Sequence, residues 1–289
     1  MSVDFRFSDL ITQEMILGIR SIPYFQNSIY KDLDIAGTLD FFARRYVQPL
    51  AAKLDISTGT ALDCAAGYGW FSIAYLLSGG KAAIAVDIDV ERLKAAEEIA
   101  RIFGVHSRME FIESSIEEIS LPADSVDLFV SVETLEHIGY NKLQSALVKI
   151  REITSQVVLI TTPNKFFPIV AHDTRLPFIH WLPPRSRGTY ARLFGRSDMD
   201  EGNEFLSPLH LNVILDKFRP ATSCLVFENY DQYKAHFPFY LPYGSNEENR
   251  FHTQPSKLKE TYYKVLSSTL GPYSYWMMPS LARIFLRRK

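Results

Sequence analysis

The sequence contains few cysteines and no long apolar run. Its two cysteines, Cys64 and Cys224, are too few for a disulfide framework or a cysteine-rich zinc site. No apolar segment reaches the roughly 18 to 20 residues needed to span a bilayer, and residues 1–10 do not resemble a secretory leader. We therefore expect a cytoplasmic protein without a membrane span, while peripheral contact with a membrane stays open.

Strong net charge, internal repeats and low-complexity tracts are also lacking. The formal charge is −2, from 31 basic and 33 acidic residues, so no global field draws the chain onto nucleic acid. We accordingly expect no nucleic-acid partner. Hydrophobic residues make up 47% of the 289 positions, which is enough to bury a core in one large domain.

A glycine-containing stretch stands at residues 61–72, with the sequence Ala-Leu-Asp-Cys-Ala-Ala-Gly-Tyr-Gly-Trp-Phe-Ser. Apolar residues lead into an acid, two glycines follow at Gly67 and Gly69, and an amphipathic run comes next. The pattern predicts a strand, a tight turn and a helix. Glycine permits positive φ and close approach of backbone N–H groups to a ligand, at the positive end of the next helix. The stretch therefore indicates a nucleotide-like ligand.

Strands and helices alternate after this turn. We predict strands at Thr60–Cys64, Ala82–Asp87, Met109–Glu113, Val126–Val132 and residues 156–161, and helices at residues 70–78, 90–103 and 143–154. This alternation predicts an α/β fold whose parallel sheet is covered by helices on both faces. Ligands of such sheets bind at the carboxyl ends of the strands.

The regions on either side of these alternating strands and helices predict how a single domain, residues 1–289, is completed. Helical spacing predicts an N-terminal helical cap at residues 1–57, before a cofactor-binding core at 58–163. Residues 164–206 are irregular and rich in proline and aromatic residues, which predicts an inserted substrate lid. Residues 207–289 complete the sheet, with a helix at 207–218, a strand at 222–227, a helix near 258–270 and a closing strand within 280–286.

An acid ends the second predicted strand at the spacing expected for a nucleoside site. Asp87 lies 20 positions after Gly67, about the offset at which a carboxylate meets ribose hydroxyls. Alternatively, Asp87 and Asp89 only cap the following helix. A nicotinamide reductase is disfavoured because Ser72 stands where a dinucleotide fold has its third glycine or alanine.

Five segments between residues 60 and 164 form an ordered series. They are residues 62–69 (Leu-Asp-Cys-Ala-Ala-Gly-Tyr-Gly), 86–89 (Val-Asp-Ile-Asp), 111–117 (Phe-Ile-Glu-Ser-Ser-Ile-Glu), 125–130 (Ser-Val-Asp-Leu-Phe-Val) and 161–164 (Thr-Thr-Pro-Asn). The series resembles the motifs of class I S-adenosylmethionine-dependent methyltransferases. That resemblance implies a Rossmann-like seven-stranded sheet and S-adenosylmethionine as the cofactor.

The resemblance also implies a set of cofactor-binding positions. They are Asp63, Ala65, Gly67, Gly69, Asp87, Ile88, Ser115, Ile116 and Glu133. The methionine part would lie near Asp63 and the two glycines, the ribose at Asp87, and the adenine between Ile88 and Ile116. Two residues depart from the family pattern. Ala65 replaces a glycine, which is tolerable if its φ is negative, and Ser115 replaces an acid, leaving a hydroxyl or the N–H of Ile116 to meet adenine.

A second cluster, Glu133, Glu136 and His137, follows the fourth predicted strand. Residues at i, i+3 and i+4 share one face of a helical turn, so these side chains are expected to converge. Histidine titrates near pH ~6.5 and suits a general base for a hydroxyl acceptor. Alternatively, the three side chains bind Mg²⁺, which would orient an acceptor oxygen. Either role favours methyl transfer to oxygen.

The Glu-x-x-Glu-His pattern is similar to that of ubiquinone-biosynthesis O-methyltransferases and of small-RNA 2′-O-methyltransferases, which bind a divalent metal there. The small-RNA enzymes supply a further histidine, for which the candidates here are His172, His180 and His210. A simpler alternative is a metal-free active-site loop, with Glu136 in solvent and His137 hydrogen-bonded locally.

Residues 165–196 combine aromatic side chains with arginine, aspartate and histidine. The segment resembles an insertion found in methyltransferases encoded among bacterial glycan genes. Aromatic faces and polar groups suit a sugar acceptor. Two alternatives are a proline-braced loop that packs on the core and, together with the apolar and basic tail at 284–289, a surface at the membrane boundary.

The sequence thus predicts an S-adenosylmethionine-dependent O-methyltransferase that acts on a hydroxyl of a sugar, glycan or small hydroxylated metabolite. Alternative acceptors are a quinone precursor or a lipid-linked molecule. RNA ranks below these because no basic stripe with interleaved aromatics is present. A non-catalytic S-adenosylmethionine-binding protein is the alternative from another class.

Overall fold

The computed structural model describes residues 7–169, 176–196, 204–236 and 256–289. The chain forms two compact units. The first comprises Met1–Ile119, Val126–Phe129 and Lys234–Gln254, and the second comprises Ser120–Ser125, Val130–Tyr233 and Pro255–Lys289. None of the described helices has the length and hydropathy needed to cross a membrane.

Seven strands form one mixed sheet in the order β3-β2-β1-β4-β5-β7-β6. They are β1 (Thr60–Cys64), β2 (Ala82–Asp87), β3 (Met109–Glu113), β4 (Val126–Val132), β5 (Thr154–Thr161), β6 (Phe218–Pro220) and β7 (Arg283–Arg287). The predicted α/β class and seven-stranded sheet are confirmed, and the first four strands have the predicted bounds.

The strands of the first unit pair in parallel, with Leu62 opposite Ile84 and Val86 opposite Ile112. Small and branched apolar residues fill β1 and β2, which are buried along nearly their whole length. Such continuous apolar runs are typical of parallel strands covered on both faces. In the second unit, β7 is antiparallel to both of its neighbours, β5 and β6.

Eleven α-helices lie in the described part of the chain. They are α1 (Gln13–Ser21), α2 (Pro23–Gln26), α3 (Ile35–Phe42), α4 (Gln48–Ala51), α5 (Trp70–Leu77), α6 (Val90–Ile102), α7 (Tyr140–Ile153), α8 (Pro184–Leu193), α9 (Asn212–Leu215), α10 (Tyr230–His236) and α11 (Lys257–Leu270). Oxygen-bearing caps begin several of them. Asp89, for example, accepts hydrogen bonds from the backbone N–H groups of Glu91 and Arg92 at the start of α6.

A π-helical segment, Ala43–Val47, separates α3 from α4 in the N-terminal region. The N–H of Gln48 bonds to the carbonyl of Ala43, one residue further back than in an α-helix. Pro49 follows directly and has no N–H to donate to the carbonyl four residues earlier, so the regular ladder is lost here. Helical spacing alone predicted helix at this point without the π segment.

Two elements predicted after residue 206 are wrong. The stretch 207–218 contains turns and the four-residue α9, because the N–H of Ser207 bonds to Nδ1 of His210 and Phe218 already begins β6. The predicted strand at 222–227 is a turn, in which Leu225 has φ +54° and its carbonyl accepts a hydrogen bond from the Thr222 hydroxyl.

The predicted irregular insertion at 164–206 is partly regular. A 3-10 turn, Ile179–Trp181, precedes α8. Pro184 opens that helix at a position where its missing N–H costs nothing. Prolines thus mark the beginning of a helix here, whereas the sequence analysis took them to indicate the absence of one. The role of residues 164–206 as a substrate lid stays a prediction.

A buried arginine joins several parts of the second unit. The Arg283 guanidinium is fully buried and donates to the carbonyl of Leu225, the carbonyl of Ala282 and the hydroxyl of Ser274. It also lies 5.5 Å from the centre of the Tyr275 ring. No acidic side chain in the described ranges pairs with it, and burial lowers its pKa to about 10. Backbone carbonyl oxygens and the Ser274 hydroxyl therefore take the place of water around this cation.

We expect Arg283→Ala to lower the free energy of unfolding by about 3 kcal/mol, because it removes several hydrogen bonds to a buried charge and leaves their acceptors unsatisfied. Urea denaturation measures this. Arg287→Ala on the same strand is the control, since the exposed ion pair of Arg287 with Asp124 is worth about 0.5 kcal/mol. Equal losses in the two variants would contradict the role given to Arg283.

Candidate active site

The glycine turn between β1 and α5 depends on three left-handed residues. Ala65, Gly67 and Gly69 have φ of +56°, +55° and +75°. The turn is closed by hydrogen bonds from the Ala66 N–H to the Val86 carbonyl and from the Gly69 N–H to the Ala66 carbonyl. The condition under which alanine would be tolerable here, a negative φ, is therefore not met. Ala65 adopts the conformation that a glycine there would adopt at less steric cost.

Open space lies over the turn at Gly67. A Cβ atom built on this residue meets no heavy atom within 4 Å, although its positive φ would strain any other residue. A ligand can thus approach the backbone here at the distance of a hydrogen bond. This is the geometry predicted for a nucleoside-containing cofactor.

The carboxylate of Asp87 binds the turn from the end of β2. One oxygen accepts the Gly67 N–H at 2.8 Å and the other accepts the Asp89 N–H at 2.9 Å. The residue is only 6% exposed. Asp89, and not Asp87, caps α6. Asp87 therefore has a different task from the helix capping considered as the alternative, and each of its oxygens keeps a lone pair for a hydroxyl.

The residues predicted to flank adenine differ in exposure. Ile88 is 74% exposed, whereas Ile116 is buried. A large apolar side chain held in solvent beside Asp87 offers a surface that a flat apolar ring would cover. The Ser115 hydroxyl donates to a carboxylate oxygen of Glu118 at 2.9 Å, so contact between Ser115 and adenine stays a prediction.

Asp63, at the carboxyl end of β1, is buried against α5. One of its carboxylate oxygens accepts hydrogen bonds from both the N–H and the hydroxyl of Ser72. Burial nevertheless raises the pKa of Asp63 to about 7. An adjacent cation, such as the ammonium group of a bound amino acid, would favour the charged carboxylate.

Aromatic residues from the N-terminal segment pack around the turn, a feature that the sequence analysis missed. The Tyr68 ring contacts those of Tyr24, Phe25 and Tyr30, and the Tyr24 hydroxyl donates to Asp89 at 2.8 Å. The run of aromatics between residues 24 and 30 was the available signal. Alone, it could not reveal which part of the core it would cover.

In the second unit, the turn after β4 begins with a left-handed residue. Glu133 has φ +50°, and its N–H bonds to the carbonyl and hydroxyl of Thr161 at the end of β5. A 3-10 turn, Leu135–His137, follows. A non-glycine residue in the left-handed conformation costs about 1 kcal/mol, and it persists where the surrounding contacts hold it in place.

The three predicted side chains on this turn do not share one helical face. Glu136 is fully buried and accepts a hydrogen bond from the Thr162 hydroxyl at 2.8 Å, whereas His137 is exposed. The reason is that Glu133 precedes the turn in non-helical backbone, so i, i+3, i+4 spacing does not apply. The alternative with Glu136 in solvent is equally wrong.

Among residues that the structure describes, no three His, Cys, Asp or Glu are grouped to hold a metal ion. Of the candidate downstream histidines, His180 donates to the Lys165 carbonyl, His210 accepts from the Ser207 N–H, and His172 lies outside the described residues. The geometry of Glu133, Glu136 and His137 does not fit a common Mg²⁺, so we derive no step from one.

Residues 61–156 match the model of the methyltransferase domain family. A search of curated proteins finds no significant match. Similar solved structures include a proposed sarcosine dimethylglycine methyltransferase from Galdieria sulphuraria (16% identity, covering 86% of this chain and 84% of that chain, TM-score 0.46). Others are the MccD protein (11%, 87% and 96%, 0.47) and geranyl diphosphate methyltransferase in complex with GPP and sinefungin (10%, 83% and 76%, 0.45). Such low similarity carries no information about the acceptor.

The strand order, the glycine turn with its acid at the end of β2, and the domain match define an enzyme of the methyltransferase class. Residues 61–156 thus form a methyltransferase domain, and the sheet has the seven-stranded form that the resemblance to class I S-adenosylmethionine-dependent methyltransferases predicts. The open turn at Gly67, the Asp87 carboxylate and exposed Ile88 fit that cofactor, which supplies an electrophilic methyl group when bound.

We expect Asp87→Ala to weaken binding of S-adenosylhomocysteine by more than tenfold, about 1.4 kcal/mol, through loss of charge-assisted bonds to ribose. Calorimetric titration measures the affinity. Glu113→Ala is the matched control, because Glu113 ends β3 directly opposite Asp87 in the register and is exposed. Unchanged affinity in Asp87→Ala would exclude the ribose role.

The raised pKa of Asp63 predicts a pH-dependent stability in the cofactor-free enzyme. Between about pH 4 and 7 the folded state holds a proton that the unfolded chain has lost, so stability from this group falls as pH rises through that window. From pH 5 to 8 we expect wild type to lose about 2 kcal/mol more than Asp63→Asn. Denaturation at both pH values measures this, with exposed Asp55→Asn as the control. Parallel losses in wild type and Asp63→Asn would show that Asp63 is not the cause.

Proposed function

We propose that this methyltransferase transfers the methyl group to a hydroxyl oxygen of a sugar or another small hydroxylated metabolite, with His137 as the general base. One observation carries the proposal. His137 is exposed on a 3-10 turn at the carboxyl end of β4, while the backbone and the glutamates around it are held in place. Carboxyl ends of strands are where ligands of such sheets bind.

The surrounding contacts favour His137 over Glu136 as the base. Glu136 is buried and hydrogen-bonded to Thr162, and the Glu133 N–H is bonded to Thr161. Thr161 ends β5 and Thr162 follows it directly. The backbone of Glu133 and the side chain of Glu136 therefore fix the turn, and His137 is exposed to solvent, where an acceptor can reach it.

The chemistry asks two things of the chain. It must hold the acceptor oxygen in line with the carbon–sulfur bond, and it must accept the hydroxyl proton as the carbon–oxygen bond forms and the carbon–sulfur bond breaks. The exposed imidazole of His137 is the group proposed to meet the second need.

Exposed aromatic side chains support a sugar as the acceptor. Phe178 and Trp181 are about half exposed, and their ring centres are 5.0 Å apart. Phe166 is also exposed and contacts Trp276 at 6.3 Å. Flat apolar rings of this kind stack on the apolar face of a pyranose. A quinone precursor or lipid-linked acceptor would use the same rings, so both belong in any acceptor panel.

We expect His137→Ala to lower kcat by about 10²- to 10⁴-fold, the range for loss of a general base, with cofactor affinity unchanged within twofold. Transfer of labelled methyl groups to a panel of hydroxylated acceptors measures kcat, and calorimetry measures affinity. His106→Ala is the control, since His106 is half-exposed and lies beside Glu97 in the first unit. A fully active His137→Ala enzyme would contradict the proposal.

The same assay separates the remaining alternatives. Cofactor binding without turnover on any acceptor would favour a non-catalytic binding protein. Activity that survives exhaustive chelation would exclude a role for Mg²⁺, whereas loss restored by added Mg²⁺ would show that oxygen activation needs the metal.

A further inference from the structure

A surface pocket in the second unit lies where α7 and the segment after β5 meet. It has a volume of about 320 Å³, which is sufficient for a small polar group and part of its carrier. Its lining residues are Tyr140, Leu143, Gln144, Lys165 and His210. Tyr140 begins α7 three residues after His137, and Lys165 comes four residues after the end of β5. The pocket is thus adjacent in sequence to the proposed base.

Among the described residues of the lining, Lys165 carries the one full charge. Its ammonium group donates to the Tyr140 hydroxyl at 2.9 Å and lies 4.7 Å from the centre of that ring. In the described part of the chain it forms no ion pair. The Tyr140 hydroxyl in turn donates to the Phe205 carbonyl. The tyrosine therefore holds Lys165 in place while two of the three ammonium N–H groups remain for a ligand.

His210 adds a donor whose tautomer is fixed by the backbone. Its Nδ1 accepts the Ser207 N–H at 2.9 Å, so the proton of the neutral ring is on Nε2. Burial and the nearby Lys165 lower the pKa of His210, which favours this neutral form. The ring stacks on Tyr140 at 5.7 Å between centres. Lys165, His210 and the Gln144 amide thus make the lining rich in N–H donors.

No carboxylate is among the lining residues that the structure describes. Glu204 contacts the lining residue Tyr140, whose backbone N–H donates to the Glu204 carboxylate. One cation, several N–H donors and no anion make a lining that a neutral ligand would satisfy poorly. Oxygens of a carboxylate or phosphate are the partners that such donors bind most strongly.

We propose that this pocket binds an anionic oxygen group, a carboxylate or phosphate, carried by the molecule that is methylated. This assignment of the acceptor rests on the proposed function, although binding of the anion itself does not. The acceptor is accordingly an acidic one, such as a uronic acid or a sugar phosphate. Lys165 binds its charge, His210 and Gln144 donate to its oxygens, and Tyr140 positions the ammonium.

Binding is tested without any turnover by titrating the full-length protein with sodium phosphate and, separately, sodium acetate. Histidine ring signals in protein labelled at the imidazole carbons report occupancy, with His210→Asn identifying the signal of His210. We expect a saturable shift of the His210 signal, and at least tenfold weaker binding in Lys165→Gln. Whichever salt binds more tightly identifies the anion as phosphate or carboxylate.

Two variants control for charge and folding. Lys149→Gln removes a lysine of α7 that does not line the pocket and should bind like wild type. Lys165→Arg keeps the cation and should restore most of the affinity that Lys165→Gln loses, which a merely structural role of Lys165 would not predict. Linear shifts without saturation, or equal saturation in wild type and Lys165→Gln, would overturn the proposal.

Activity then tests the link to methyl transfer. With an acidic sugar that the wild-type enzyme methylates as the acceptor, Lys165→Gln should raise the KM for that sugar at least tenfold with kcat nearly unchanged. The neutral sugar of the same stereochemistry should be a poor acceptor for wild type. If neutral and acidic sugars are methylated with equal KM, the anion assignment fails while O-methyl transfer stands. If nothing is methylated but saturable phosphate binding depends on Lys165, the pocket stands and the proposed function fails.

Discussion

The carboxylate of Asp87 is the interaction on which the cofactor half of this enzyme depends. It accepts one backbone N–H from the glycine turn and one from the residue before α6, so it fixes the end of β2 against a turn that contains three left-handed residues. Charge-assisted bonds of this kind are stronger than neutral ones, and burial increases their strength further. The same carboxylate is the one that we expect to bind the ribose, so local stability and recognition would share one group.

The second unit uses threonines for the equivalent purpose. Thr161 and Thr162 at the end of β5 bond to Glu133 and Glu136 after β4, which sets the backbone from which His137 projects. Asn164 continues this pattern, since its buried amide donates to the carbonyls of Tyr275 and Met278. Short polar side chains directly after β5 therefore hold both the turn after β4 and the segment before β7.

Much of the fold could be predicted from the sequence because local pattern and burial agree there. Apolar runs of five to seven residues bounded by glycine and acids placed β1 to β4 correctly, and the acid at Asp87 followed from spacing alone. The prediction failed where distant contacts decide conformation. The three-residue β6 exists because β7 pairs with it, and the positive φ of Ala65 is imposed by the turn around it. Convergence of Glu133, Glu136 and His137 assumed a helix that the bond between Glu133 and Thr161 prevents.

The position of β7 between β5 and β6 has a consequence for how the chain reaches its native state. Strands β1, β2 and β3 are successive in sequence and can pair while later residues are still being synthesised. By contrast, β6 pairs with β7, which lies more than sixty residues further along the chain. The edge of β5 that pairs with β7 likewise stays unpaired until Arg283–Arg287 is available. Contacts of such long sequence separation form slowly because the loop must be closed first. Pairing of β5 and β6 at this end of the sheet therefore depends on β7, whereas β1, β2 and β3 can pair without it.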